Sequence, residues 1–372
     1  MEIPRFKLER FFAEYEFHVE HMLCGSDCES LTVEELLALE AGAEERFRHL
    51  RLGYTESRGS PALRAEIAGI YETMAPDQIL VHAGAEEGIF LFMHAVLESD
   101  DHLVVHWPCY QSLFAVAESI GCEVTRWTAH EEDAWALDLA ELEGLLRPNT
   151  KAIVLNVPHN PTGYLMSEGA FGEVDRIARE RGILLFSDEV YRESEYDAVD
   201  RLPAACDLGP HAISLGVLSK TYGLPGLRLG WIATANEAIL TRIAELKDYT
   251  TICTSSPSEY LAEIALRHRA KIVARNLEII GGNLPILDRF FGRHRELLSW
   301  VRPTAGAIAF PRMLSGDLET FCRRAVEDAG VLLLPGWAFD DTENHFRIGF
   351  GRKSLPEAID RLERFVERYA AS

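Results

Sequence analysis

The chain has 372 residues, 47% of them hydrophobic and 26% charged, with a formal net charge of −22 at pH 7. That length supports a large core with a smaller domain attached, and the composition is that of a soluble globular protein. So acidic a chain argues against nucleic acid or anionic membrane as a partner, because phosphate groups reward Lys and Arg. Any anionic ligand must be held by a local cluster of positive groups, against the field of the whole chain. The seven cysteines (Cys24, Cys28, Cys109, Cys122, Cys206, Cys253, Cys322) are odd in number and widely spaced, with no C-x-x-C pair. They read as reduced thiols of a cytoplasmic protein, and no metal site is expected. No signal peptide is visible at the start of the sequence, and no apolar run is long enough to span a membrane.

In chain order, Lys7 to Met22 reads as an amphipathic helix rich in Phe and Tyr, broken by Gly25-Ser26-Asp27. Residues 1–30 are therefore set apart as an N-terminal arm. A helix is expected over Pro61–Met74, with Ser60 as its cap, Pro61 at the first position and Leu63, Ile67, Ile70, Tyr71 and Met74 at helical spacing. Short β-type runs follow at Gln78–His82, His102–Trp107, Lys151–Asn156, Ile183–Ser187, Ala212–Leu218 and Leu229–Ala233, separated by helical stretches such as Gly169–Arg181. Runs such as "AIVLN" and "ILLFSD" show no polar alternation. The expected fold is therefore α/β, with a mostly parallel central sheet buried on both faces by helices. After about Ser256 the texture changes. A helical stretch reaching roughly Ile280 leads into the strand-like "GAIAFPR", a helix near Leu318–Ala329, strands near Val331–Leu334 and His345–Phe350, and a last helix from Pro356 capped by Ser354. The boundaries drawn are 31–255 for a large domain and 256–372 for a small α+β domain.

In an open parallel sheet, ligands sit beyond the carboxyl ends of the strands. Three expected strands end there in polar residues: "KAIVLN" runs into "VPHNPTG", "ILLFS" into "DEVY", and "AISLGVL" into Ser219-Lys220. Each residue alone has a plain reading as a turn, a cap or a surface lysine. Together, parallel strands would bring Asn160, Asp188, Tyr191 and Lys220 to one crevice. A lysine among apolar and cationic neighbours loses proton affinity and becomes a nucleophilic amine, able to form a Schiff base with an aldehyde. Pyridoxal 5′-phosphate is the aldehyde cofactor that uses such a linkage, and its ring nitrogen needs a carboxylate. Asp188 suits that role, and Tyr191 and Asn160 suit the ring's phenolic oxygen. Arg228 is one candidate for the phosphate. The turn Gly84-Ala85-Glu86-Glu87 is another, where a strand ends in glycine and helix N–H groups can face an anion, with Glu86 and Glu87 pointing away. Tyr110, after Pro108, suits stacking on the ring.

The stretches "GYTESRGSPALR", "HAGAEEG", "PCY", "NVPHNPTG", "SDEVY", "SKTYGLPGLRLG" and "FRIGFG" span about Gly53 to Gly351. On them the chain resembles the pyridoxal-phosphate enzymes of the aspartate aminotransferase fold (fold type I, aminotransferase class I/II). The resemblance implies that Lys220 forms the internal aldimine and shuttles protons, with Asp188 and Tyr191 as its catalytic partners. It implies that Arg228 and the Ala85–Glu86 backbone hold the phosphate, that Tyr110 stacks on the ring, that Arg347 grips the substrate α-carboxylate, and that Asn160 too serves in substrate binding. It implies that Tyr54 reaches the phosphate of a neighbouring subunit, which makes the enzyme a homodimer with shared sites; a core aromatic is the alternative reading of Tyr54. It also implies a cis Asn160-Pro161 bond. One departure stands out. Val217 occupies a position where many relatives carry a phosphate-binding hydroxyl, so either Ser219 substitutes for it or the phosphate leans harder on Arg228 and backbone donors. The implied reaction is transamination between amino acid and keto acid substrates. The alternative is β-elimination or replacement, as in C–S lyases or in the capreomycidine synthase-like cyclases, which the arm with "ELLALE" and "PGWAF" also resemble. No second arginine is assigned to a side-chain carboxylate, so a dicarboxylic substrate is not expected.

Overall fold

The structure, a computed structural model, describes residues 2–370. Its centre is a seven-stranded sheet built from β1 (Ile79–His82), β2 (His102–Trp107), β3 (Glu123–Thr128), β4 (Thr150–Asn156), β5 (Leu184–Asp188), β6 (Ala212–Val217) and β7 (Gly230–Ala233), in the order β1-β7-β6-β5-β4-β2-β3. Only β7 runs against the rest, as an antiparallel filler between β6 and β1. Residues of β1, β2, β4 and β6 such as Leu80, Val104, Ile153 and Ile213 have no exposed surface. Each such burial contributes about 2 kcal/mol, which is why these runs carry no polar alternation. The helices around the sheet and beyond include α1 (Lys7–Tyr15), α2 (Pro61–Ala68), α3 (Gly84–Val96), α4 (Glu168–Arg181), α5 (Ser256–Arg267), α6 (Arg269–Arg293), α7 (Leu318–Ala329) and α8 (Leu355–Ala370).

Register places the site. Asn156 lies opposite Asp188, and Asp188 opposite Leu215, so the carboxyl ends of β4, β5 and β6 are level. A second core joins α6, α7 and α8 to the antiparallel sheet of β8 (Ile308–Ala309), β9 (Leu334–Pro335) and β10 (Phe346–Gly349). Arg347 is carried on β10.

Several expected elements differ in extent. The first helix ends at Tyr15 rather than Met22, because His21 and Met22 extend and pair with Val331 and Leu332. The helix from Pro61 stops at Ala68, with Gly69 at its end; Asp207 then takes the N–H groups of Glu72 and Thr73 at 3.1 and 2.8 Å, bonds a continuing helix would have made internally. The stretch from Ser256 is two helices that break at His268. The second continues through Gly281, Gly282 and Pro285 to Arg293, because Leu284, Leu287, Phe290 and Phe291 pack into the core and Asn283 Nδ2 donates to the carbonyls of Phe350 and Arg352. Tertiary packing there outweighs local helix propensity. Strand β3 has no counterpart in the sequence reading, since "EVTRWT" is a half-exposed edge strand with mixed polarity.

Candidate active site

One end of the site is made by the turn out of β1. Gly84 has φ +74°, which a side chain disfavours, and it opens α3 directly. The first N–H groups of a helix have no partner within it. His82 Nδ1 lies 2.8 Å from the Gly84 carbonyl, and Glu87 accepts the Ala83 N–H, so the turn is held from behind. A β-carbon on Gly84 would come 2.8 Å from Arg228 Nη2, so the guanidinium lies directly against this turn. Arg228 donates to the Pro225 carbonyl at 3.1 Å and forms no ion pair among the described residues. The combination is a helix N-terminus plus an unneutralised guanidinium, which is a cradle for a dianion.

Asp188 and Lys220 lie deeper in the same cavity, whose volume is about 200 Å³. Burial pushes the Asp188 carboxyl up to about 7, against the Val190 N–H at 3.2 Å and the nearby Lys220 charge, which pull it down. A carboxylate so placed calls for a cationic partner. Burial lowers the proton affinity of Lys220; Arg347 lowers it further, and Asp27, Asp188 and Glu9 oppose both. Asn156 Nδ2 donates to the Asp188 carbonyl at 2.9 Å, and Asn156 Oδ1 accepts the Asn160 N–H at 2.7 Å, which ties the ends of β4 and β5 together.

Arg347 is the most deeply buried cation of the cavity, 1% exposed. Its Nε and Nη2 donate to the Cys24 carbonyl at 3.2 and 3.0 Å, and Nη1 donates to Asn160 Oδ1 at 3.0 Å. A guanidinium has five N–H groups. With these three committed, one remains on each terminal nitrogen, a fork that matches a carboxylate.

The cavity is lined by Ala85, Glu86, Tyr110, Asn160, Asp188, Tyr191, Ser219, Lys220, Arg228 and Arg347, all of them singled out from the sequence. Val217 lines it too, at the position that lacks a hydroxyl. The Asn160-Pro161 bond is cis, as expected. Glu86 lines the cavity, its carboxylate accepts the Ser112 hydroxyl at 3.1 Å, and lost hydration pushes it up to about 7. Glu87 does turn aside, to Thr250 and Thr251. Tyr54 lies outside its own chain's cavity and is 94% exposed, so it is no core aromatic. The sequence reading missed Leu8, Glu9, Phe12, Ser26 and Asn156. Asn156 stood inside a quoted motif; Phe6 packs on Tyr110 at 5.1 Å and so brings α1 to the mouth, a contact no local pattern announces. Grooves beside Val33–Arg48 and beside Trp337 contain none of the four cavity charges Asp188, Lys220, Arg228 and Arg347.

Residues 24–362 match the profile of the family described as aminotransferase class I and II. The chain belongs to that family. It is 28% identical to capreomycidine synthase of Streptomyces vinaceus, with 94% of this chain and 90% of that one covered. It is 27% identical to aspartate aminotransferase of Thermotoga maritima, covering 88% and 86%. Its fold is similar to a PLP-dependent aminotransferase from Streptococcus suis at a TM-score of 0.93, with 33% identity and 99% of both chains covered. Pyridoxal phosphate is the cofactor of this family, and the protein is a PLP-dependent enzyme of the aminotransferase class. The residues present fit that cofactor: an anion cradle at Gly84 and Arg228, a buried carboxyl at Asp188, and a desolvated amine at Lys220.

Proposed function

We propose that Lys220 is the cofactor-bearing amine of an aminotransferase acting on an α-amino acid. The observation that carries this reading is the convergence of Lys220, Asp188 and the free fork of Arg347 on one cavity. When bound, pyridoxal phosphate supplies an aldehyde that captures amines and a ring that draws electrons from the substrate Cα. With the cofactor bound, Asp188 would hold a proton at the ring nitrogen, Asn160 and Tyr191 would steady the ring oxygen, the Tyr191 O–H leaving the Ser26 carbonyl to do so, and Tyr110 would flank the ring. Arg228, Ser219 and the N–H groups of Gly84, Ala85 and Glu86 hold the phosphate. Arg347 orients the α-carboxylate. Lys220 Nζ takes the Cα proton and returns it.

The boundaries 1–30, 31–255 and 256–372 serve as arm, large domain and small domain. The functional unit in this reading is a homodimer. Leu52, Tyr54 and Tyr249 are 83%, 94% and 91% exposed. Their segments are fastened together, since Thr55 Oγ1 donates to the Thr254 carbonyl and Lys247 Nζ to the carbonyls of Ser57 and Ile252. A partner subunit would cover this face and receive Tyr54 at its phosphate. Seven free cysteines suit a cytoplasmic setting.

A second reading, elimination with cyclisation, is favoured by the match to capreomycidine synthase over 94% of the chain. It also suits the cavity charges. Glu9 and Glu86 line the cavity without an ion-pair partner among the described residues. The lining cations are Lys220, Arg228 and Arg347, all three with roles already given. A side chain bearing positive charge therefore fits better than a second carboxylate. The deciding experiment mixes holoenzyme with a panel of amino acids, hydroxylated arginine included. Conversion of the cofactor to its amine form with release of a keto acid supports transamination. Ammonia release, or a cyclic product with the starting absorbance restored, supports the second reading.

A further inference from the structure

The N-terminal arm places one hydroxyl in the cavity that none of the motifs announced. Ser26 Oγ lies 2.9 Å from Lys220 Nζ and accepts its N–H. The carbonyl of the same residue accepts the Tyr191 hydroxyl at 3.2 Å. Ser26 is not a loose loop residue. Before it, the Cys24 carbonyl takes two N–H groups of Arg347. After it, the Asp27 carboxylate pairs with Arg352 at 2.9 Å, and the Glu29 N–H donates to the Gly351 carbonyl at 2.8 Å. A β-carbon on Gly349 would come 1.8 Å from the Gly25 carbonyl, so the arm is pressed directly onto β10.

We propose that Ser26 is the positioning residue for the working amine: its hydroxyl holds Lys220 Nζ whenever that nitrogen is not covalently attached to the cofactor. The proposal rests on the reading of Lys220 as the cofactor-bearing amine. Among the described residues, Ser26 is the one hydrogen-bond partner of Nζ. The charged groups that act on Nζ include Asp27, Asp188, Glu9 and Glu16, which favour its protonated form, and Arg347, which disfavours it. A carboxylate can only accept, so it orients an ammonium but cannot donate to a neutral amine. A hydroxyl accepts from either form and can donate to the lone pair of the neutral one. It therefore keeps the amine aimed through a cycle in which the nitrogen gains and loses a proton. Through its carbonyl the same residue also holds the Tyr191 hydroxyl until the cofactor's ring oxygen takes it, so the arm places two groups before the cofactor enters.

The test uses the full chain with cofactor and compares Ser26→Ala and Ser26→Thr with wild type. The hydroxyl is removed in the first and kept in the second, while the backbone carbonyl stays in both. Loss of one such bond is expected to lower kcat roughly three- to tenfold with KM nearly unchanged. Because the amine donates to Oγ, its removal is also expected to shift the Lys220-dependent limb of the pH profile to lower pH. A readout independent of turnover is the rate at which apoprotein captures pyridoxal phosphate covalently, followed by absorbance. Ser26→Ala is expected to capture it several-fold more slowly, and Ser26→Thr at close to the wild-type rate. If Ser26→Ala does not fold, Ser26→Cys takes its place with the same expected losses, since a thiol is a weak hydrogen-bond partner. Wild-type kcat, pH limb and capture rate in the alanine variant would overturn the proposal while leaving Lys220 in its role. Wild-type protein that captures the cofactor on another residue would overturn both.

Discussion

Arg347 Nη1 donates to Asn160 Oδ1 at 3.0 Å in the buried wall of the cavity, joining two residues 187 positions apart. The asparagine comes from the loop after β4, and the arginine from the small-domain strand β10. The contact fixes the plane of the guanidinium, and with it the direction of the two N–H groups left for a carboxylate. Arg347→Lys keeps the charge but removes the fork, and a flexible point charge cannot replace it. KM for the amino acid is expected to rise about 10- to 100-fold, corresponding to the loss of roughly one to two charge-assisted hydrogen bonds. Asn160→Ala is expected to raise KM less, by about tenfold, because the fork survives but is no longer aimed. Steady-state kinetics on both variants checks this. Equal KM values across the three proteins would mean the carboxylate sits elsewhere.

Asp188 makes a prediction about stability that is opposite in sign to the usual carboxylate. Its pKa in the folded cavity is about 7, raised chiefly by burial, against about 3.9 for an unfolded aspartate. Between those values the folded apoprotein holds a proton that the unfolded chain has released. Apoprotein stability is therefore expected to fall as pH rises from about 4 to about 7, by up to about 4 kcal/mol from this group. Asp188→Asn removes the effect, so the variant should gain on wild-type apoprotein as pH rises. Urea unfolding of both apoproteins at pH 5 and pH 8 measures the change in the gap. Parallel pH dependences would show that Asp188 is not desolvated. With cofactor bound the order should reverse, because a protonated ring nitrogen compensates the carboxylate.

Gly84 offers a test of the phosphate cradle that removes no charge. Alanine there meets both the left-handed backbone, at roughly 1 kcal/mol, and the Arg228 guanidinium at 2.8 Å. Gly84→Ala is expected to weaken cofactor binding at least tenfold, while the apoprotein loses only about 1–2 kcal/mol of stability. Equilibrium dialysis together with thermal melting of the apoprotein separates the two effects. An unchanged affinity would remove this turn from the site.

Much of this site was legible in the sequence, for physical reasons. Lys220, Asp188 and Asn160 follow apolar runs that can only be buried parallel strands, and such strands deliver their loops to one edge. Gly84 was legible because a strand ending in glycine before a helix has few uses other than close backbone approach. The partner of the Glu86 carboxylate was not legible, because the Ser112 hydroxyl that donates to it lies 26 positions away and no local pattern announces it. Ser26 and Glu9 were missed as site residues because the arm reaches the cavity by tertiary docking, through Phe6 on Tyr110 and the Cys24 carbonyl on Arg347. The long helix to Arg293 escaped for a similar reason. Glycine and proline signal a break locally, but the bonds that hold Asn283 come from residues more than sixty positions away.

The most direct measurement is chemical. Purified protein is loaded with pyridoxal phosphate, reduced with borohydride, digested and mapped by mass spectrometry. The expected result is a single modified peptide carrying the reduced cofactor on Lys220, with no label on any peptide of a Lys220→Ala variant. Stoichiometric label on another lysine, or an alanine variant that still turns over amino acids at the wild-type rate, would contradict the assignment of Lys220 and every role built around it.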